Sequence, residues 1–376
     1  MVKNPIALLL LVVATIAVPA YSEQPLDLYS STALVLNQSA ELRRQAAISG
    51  LSTVLVRLSG RRDIVQSPAV ASALKNASSY LYQFSYQSTD QTLTIAGSEK
   101  PATRLLMRFS EAPLENLLRE SRLPIWPSSR PDVLLWTAAN GSGQRYVSTD
   151  SDLGRALASA SRQRGLPIVN PLLDLQDRTA LPLARLWAMD EGSVRVAASR
   201  YKTAAVLFGR FSKSRTQWTG SFILLHQGRS EYIRVTGPSQ TDVANSLIDR
   251  ATDYFVGIYA ITPGIQSGAA SLLVKVDNVN DFSDYAGVNQ YLESLPVVQS
   301  LTLSEVRPSQ VVFRLQLGAD IDQFLRRLAL DRKLRRMDSD LPSAAPLHSV
   351  AASADQQWQT NGVNLSDTPS LEFVWQ

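Results

Sequence analysis

Apolar and polar positions along the first third of the chain change period several times. Residues 28–36 (Leu-Tyr-Ser-Ser-Thr-Ala-Leu-Val-Leu) predict a strand. Behind Ser39, Leu42, Ala46, Thr53 and Val56 fall near helical spacing up to Leu58, and Gly60 follows. This pattern predicts one amphipathic helix over 40–58 with the Ser39 hydroxyl as its N-cap. Pro68 suits a first helical turn, so a second, shorter helix is expected through Ala77. Residues 80–86, 92–96 and 104–109 alternate or carry β-formers and predict three strands, and 111–120 predicts a helix.

A proline-punctuated joint, Leu123-Pro-Ile-Trp-Pro-Ser-Ser-Arg-Pro131, opens a second pattern. Strands are expected over 132–136, 166–169 and 204–211, with a helix over 151–164 ended by Gly165 and helical turns over 183–201. A hairpin of 217–225 and 231–235 turns at Gln227-Gly228. In the closing helix, 240–259, Val243, Leu247, Ala251, Tyr254 and Ile258 make one apolar stripe. Strands alternating with helices predict an α/β sheet covered by helices. After the turn-rich stretch 262–269, a strand (271–276), a helix (283–295), a hairpin (297–306, 311–317) and a helix (321–330) read β-α-β-β-α. That is a ferredoxin-like unit short of one strand, which Leu371-Glu-Phe-Val-Trp375 would supply on its return.

The expected class is therefore multidomain α+β and α/β. A small β-α-α-β-β domain covers 23–128, a central α/β domain with a terminal hairpin and helix covers 129–262, and a ferredoxin-like unit covers 268–338. The Ser-, Ala-, Pro- and Asp-rich residues 339–370 read as a flexible loop, and 371–376 as the returning strand.

The first residues add a location. Lys3 precedes the apolar run 6–18, and small residues follow at Ala20 and Ser22. This is the order of a cleavable signal peptide over 1–22, with cleavage after Ala20 or after Ser22. The run is short for a bilayer span, which takes ~20 residues, so no transmembrane span is expected after cleavage. The chain has no cysteine, which excludes a lipid anchor at the cleavage site, disulfides and thiolate chemistry. An exported chain of 376 residues without disulfides points to a Gram-negative bacterial periplasm. The net charge of +4 is mild; there it favours anionic lipid or cell-wall carboxylates over nucleic acid.

Candidate chemistry is sparse. Of the two histidines, His348 lies in the polar loop and His226 beside the Gln227-Gly228 turn, where a surface position is expected. A serine hydrolase needs a serine on a strained turn with a histidine in reach, and no Gly-x-Ser-x-Gly occurs. The oxygen-rich stretch 277–284 has Val279 and Phe282 where a calcium loop needs a ligand and a glycine, so it reads as a helix-entry loop. Asn140-Gly-Ser-Gly143 lacks the remaining positions of a phosphate loop and reads as a tight turn. Asp174, Asp177, Asp190 and Glu191 are close enough in sequence to consider a two-carboxylate hydrolase, against surface acids beside Arg178 and Arg185. No metal site and no cofactor is expected. The densest charge is basic: Arg326, Arg327, Arg332, Lys333, Arg335 and Arg336 are expected outward on an amphipathic segment, a face for anionic lipid or wall or simply a solvated one. Arg61-Arg62 is a smaller patch of the same kind.

Leu51-Ser-Thr-Val-Leu-Val-Arg-Leu-Ser-Gly60, the 123–136 stretch through Asp-Val-Leu-Leu-Trp136, and Trp218-Thr-Gly-Ser-Phe-Ile-Leu-Leu resemble the proteobacterial family called domain of unknown function 2066, over about residues 27–261. That resemblance implies a periplasmic chain and carries no activity with it. The second block also looks like the α/β domain shared by periplasmic parts of translocation, cell-wall-synthase activation and flagellar-ring proteins, a likeness of topology. The leading expectation is a non-enzymatic adaptor or scaffold contacting envelope proteins or the cell wall through sheet edges and basic faces. Alternatives are a small-ligand-binding protein using a cleft between the first two blocks lined by Trp126, Arg130 and Trp136, and a hydrolase built on Asp174 and Asp177.

Overall fold

The computed structural model describes residues 27–141, 143–262, 270–295, 297–318, 321–331, 333–337 and 370–376. The expected signal segment with both cleavage sites, His348, Arg332, and nearly all of the 263–269 and 339–370 stretches lie outside these residues. The fold is mixed α+β, with three sheets.

The first unit runs β1 (Ser30–Val35), α1 (Ala40–Ser59), α2 (Pro68–Lys75), β2 (Leu81–Ile95), β3 (Ser98–Phe109) and α3 (Glu111–Glu120), with sheet order β1-β3-β2. Ser39 caps α1 by accepting from Leu42 N at 3.3 Å, and Gly60 ends it in the left-handed region at φ 71°. Ala47, Leu51, Val54 and Leu55 of α1 pack on Leu105, Met107 and Phe109 of β3.

The three strands expected over 80–109 are two. β2 and β3 form one long antiparallel hairpin whose turn residues Ala96 and Gly97 both have positive φ, as a two-residue hairpin turn requires. Gln87-Ser-Thr-Asp-Gln91 reads as a break because it carries no apolar alternation. The strand runs through it nonetheless, with Gln87 and Ser88 paired to Arg104 and Thr103, an irregularity over 89–91 and the side chains outside the core.

The second unit contains β4 (Val133–Asn140), β5 (Gln144–Tyr146), α4 (Asp152–Arg164), β6 (Ile168–Val169), α5 (Leu175–Ala180), α6 (Leu183–Trp187), α7 (Glu191–Ala198), β7 (Ala205–Lys213), β8 (Trp218–His226), β9 (Arg229–Gly237) and α8 (Gln240–Tyr259). The order is β5-β4-β7-β8-β9, with β6 beside β4. β4 and β7 are parallel and buried on both faces, which explains their continuous apolar runs. On one face Val133, Leu135, Leu207 and Phe222 pack with α4 and α8. On the other, Leu134, Trp136, Phe208 and Ile223 pack with the short helices α6 and α7.

The third unit is β10 (Ala270–Asp277), α9 (Phe282–Glu293), β11 (Val298–Arg307), β12 (Gln310–Leu317), α10 (Ile321–Asp331), β13 (Leu334–Arg336) and β14 (Ser370–Trp375), ordered β11-β12-β10-β14-β13. The ferredoxin-like β-α-β-β-α unit is present, with α9 and α10 packed on the sheet face that carries Val274, Phe313 and Phe373. β14 lies beside β10 but parallel to it. The antiparallel outer strand is β13, which sequence reasoning missed because its three residues lie inside the basic run.

Candidate functional site

The joint of residues 123–131 is where the units meet. Ile125 bridges Ile261 through backbone bonds of 2.8 and 2.9 Å, and Trp126 N donates to Leu58 O at 2.7 Å. Arg130 runs inward from there and is buried. Its guanidinium donates to Arg57 O (2.8 Å) and Trp126 O (3.1 Å), to Gly165 O (2.6 Å) and to Pro127 O (3.0 Å), and it stacks 3.9 Å over the Trp126 ring. Carbonyl oxygens from the ends of α1 and α4 are thus held by one side chain. Burial lowers the Arg130 pKa, and the nearby Arg57 cation lowers it further.

Three more arginines surround it. Arg57 donates to Asp27 O (2.9 Å), Leu28 O (3.2 Å) and Ser30 O (2.9 Å), tying α1 to the start of β1. Arg164 reaches Gly60 O (2.8 Å), Asp249 (2.8 Å) and Asp253 (2.7 Å), joining α1, α4 and α8. Arg327 donates to Ser129 O at 2.8 Å and pairs with Asp331, which also accepts from Tyr291 and Ser129, so α10 is fastened to the joint.

The glycines that end α1 and α4 fit this packing. A Cβ on Gly60 would stand 2.2 Å from Val256, and one on Gly165 would stand 2.2 Å from Arg130 Nη1, both at positive φ.

This geometry corrects the expected cleft. Trp126 and Arg130 fill the junction, and Trp136, on the opposite face of the second sheet, packs edge-on to Tyr201 at 6.5 Å; all three are buried, so they line no open surface. Their chemistry is that of a seal, with apolar rings excluding water around carbonyl–guanidinium bonds.

The basic run also divides. Arg327 is buried because it shares the inward stripe of Phe324 and Leu328, with Asp331 one turn on to balance its charge. Arg326 is half-buried, while Lys333, Arg335 and Arg336 are exposed, the last two on β13 rather than on a helix. Lys333 Nζ lies 5.2 Å over Tyr291.

His226 is likewise not on the surface. It ends β8 against α8, buried, with Nδ1 3.2 Å from Tyr254 Oη and Nε2 3.0 Å from Tyr259 Oη. Apolar rings of α8, here Tyr254, Phe255 and Tyr259, enclose it edge-on, and burial, then the Arg229 cation, lowers its pKa. The turn beside it, Gln227-Gly228, is exposed, and that is the signal sequence reasoning followed.

The carboxylates hold structure together. Asp174 caps α5 through Asp177 N (2.9 Å) and takes both arms of Arg200 at 2.9 Å, which hold its pKa down at about 2. Asp177, buried, accepts from Arg200 (2.8 Å), Tyr201 Oη (2.5 Å) and Leu173 N (2.8 Å). Asp190 caps α7 and pairs with Arg185 at 2.9 Å, and Glu191 pairs with Arg195 at 2.6 Å. The lowered pKa of Asp174 is the reverse of the raised one that a general acid requires. The 277–284 stretch enters α9, with Asp281 as its cap and Asp284 accepting from Asn280 N.

Among the described residues no group of three or more His, Cys, Asp and Glu side chains is placed to hold a metal ion, and no helix is long and apolar enough to cross a membrane. One surface pocket of about 280 Å³ is lined by Arg195, Ser199, Lys202, Thr203, His226 and Gly228. Its cations come from the end of α7 and the following turn, where Lys202 has φ 51°, and no spacing in the sequence marks them as a group.

Residues 23–127 match a protein family described as Domain of unknown function (DUF8605). The match covers the first unit and stops inside the joint, before Arg130. No curated protein matches the chain.

Proposed function

We propose that this chain is a non-enzymatic periplasmic adaptor or scaffold that contacts envelope proteins or the cell wall. The observation that carries this reading is the junction. Three sheets are fastened together by buried arginines while β9, among the described residues, keeps one edge unpaired along Arg229–Gly237. A rigid frame with open strand edges suits strand-by-strand recognition of partners. Lys333, Arg335 and Arg336 give the third unit a cationic edge for anionic lipid or wall polymers. The likeness to domain of unknown function 2066, the 1–22 segment and the absence of cysteine support export in a proteobacterium.

A photo-crosslinking residue at Tyr232 on β9, against a control at Gln163 on α4, tests the adaptor reading in intact cells. Adducts with an envelope protein or wall polymer are expected at Tyr232. Equal labelling at both positions, or none at either with the protein present, sinks it. N-terminal sequencing of the exported protein tests the signal, with Tyr21 or Glu23 expected as the first residue.

A second reading, a small-ligand-binding protein, draws its support from the Arg195–Lys202 pocket rather than from the buried Trp126. Lys202 would draw a small anion there, beside an Arg195 already paired with Glu191. Calorimetric titration with inorganic phosphate and citrate, against Lys202→Glu, tests it; no heat with either anion removes it.

A further inference from the structure

We infer that β2 is a self-association edge, on which a second copy of this chain pairs antiparallel about Ser85 to make one continuous six-stranded sheet. This goes beyond the adaptor reading and stands or falls without it.

β2 is the outer strand of the first sheet, fifteen residues long. Unpaired edges are normally blunted by charge, proline or shortness. β9 carries Arg229, Glu231 and Arg234, β11 carries Glu305 and Arg307, and β13 has three residues with two arginines. β1 is short, and its Ser30 carbonyl is already taken by Arg57. β2 carries no lysine, arginine or proline, its one charge is Asp90, and Tyr82 and Phe84 are exposed on it.

The backbone direction fixes which groups face out. Phe109 N donates to Tyr29 O, so odd-numbered residues of β3 point toward β1 and even-numbered ones toward β2. Leu106 pairs with Ser85, and Arg104 with Gln87. Ser85 and Gln87 are therefore the residues bonded inward, and the N–H and C=O groups of Phe84 and Tyr86 point away from β3, where no strand of the described residues pairs with them.

The occupant follows from the sequence. Gln83-Phe-Ser-Tyr-Gln87 reads nearly the same in both directions about Ser85. A twofold axis at Ser85 sets Phe84 against the second copy's Tyr86 as a hydrogen-bonded pair, and Tyr86 against its Phe84. Gln83 then meets Gln87 on the opposite face. Aromatic pairs on one face and amide pairs on the other are cross-strand partners that stabilise a sheet, and within the two strands no like charges stand opposite each other. Phe84 is already ordered for this, edge-on to Tyr86 at 5.9 Å with Arg43 4.6 Å over its ring. The isologous contact closes on itself, so it yields a dimer and not a fibre.

The chain has no cysteine, so a single thiol reports the axis directly. Facing Ser85 residues form a non-hydrogen-bonded pair with Cα atoms ~4.5 Å apart, within the reach of a disulfide. Ser85→Cys in the full chain should give a covalent dimer under copper–phenanthroline oxidation, while Thr94→Cys, exposed further along β2, should stay largely monomeric. Light scattering should return a dimer mass for the unmodified chain. The double variant Phe84→Lys/Tyr86→Lys should be monomeric, and mixing it with Phe84→Glu/Tyr86→Glu should restore a one-to-one dimer, which a folding defect would not do. A monomer mass at every concentration, equal crosslinking of the two thiols, or adducts only with other proteins overturns the proposal.

Discussion

The Arg130 junction and the Asp174–Asp177–Arg200 cluster both tie charge into hydrogen bonds, the first buried and the second with only Asp177 buried, and they do so in opposite ways. At the junction the acceptors of Arg130 are backbone carbonyls drawn from distant parts of the chain, and its nearest charged neighbours are other cations. In the cluster, Arg200 is met by two carboxylates, all within one short-helix layer. A carboxylate pair settles a local fold, whereas a cation bonded to carbonyls couples elements that share no sequence neighbourhood. The junction therefore behaves as a fastener between units, and the cluster as a clamp within one.

Breaking the fastener should have the largest effect. Arg130→Met leaves carbonyls of Arg57, Trp126, Pro127 and Gly165 buried without a donor. We expect a loss of roughly 3–5 kcal/mol in urea unfolding, with the single transition splitting into separate steps as the units uncouple. The clamp should matter less: Asp177→Ala leaves Tyr201 Oη and Leu173 N without their acceptor while Arg200 keeps Asp174, and about 1–3 kcal/mol should be lost with the transition still single. A result in which Asp177→Ala splits the transition and Arg130→Met does not would reverse the comparison.

His226 gives a smaller, pH-dependent effect. Its folded pKa lies below its unfolded value near 6.5, so the folded state favours the neutral ring. That stability is present above the unfolded pKa and is lost as pH falls from about 7 toward the folded pKa. Melting temperature should decline over this window in the native chain and less steeply in His226→Gln. The smallest effect is expected at the exposed cations: Arg335→Ala/Arg336→Ala should change stability by no more than about 0.5 kcal/mol, while lowering retention on anionic vesicles.

Much of the fold was legible because helix ends carry their own chemistry. Ser39 caps α1 as its place in the sequence predicts, Asp281 caps α9 within the expected helix-entry loop, and Gly60 and Gly165 end α1 and α4; the caps Ser151 and Ser239 emerge only in the structure. The middle of β2 was illegible because it carries no apolar face: it is an irregularity over 89–91 between two segments paired with β3. The junction was illegible for a different reason. Arg130 and Arg164 look like ordinary surface cations, and nothing within a few residues announces that Gly165 O will accept from the first and Gly60 O from the second. Clustered charge and tryptophan suggested surfaces, yet Arg130 and Arg327 went inside once backbone acceptors or Asp331 met their guanidinium groups, and Trp126 and Trp136 went inside on ring packing alone, with no acceptor at either indole N–H.

The place of β14 has a consequence for how the chain comes to be made. Val274 must wait for Leu371 and Val276 for Phe373, although β10, α9, β11, β12 and α10 are all synthesised long before β14 emerges. Until it arrives, β10 is an open edge with a Phe373-sized hole behind it. The third unit is thus the slow, late step of maturation. A carrier that holds this chain unfolded has most to protect along Leu272–Val276, and an interruption of synthesis anywhere before β14 leaves a molecule marked by that unpaired strand.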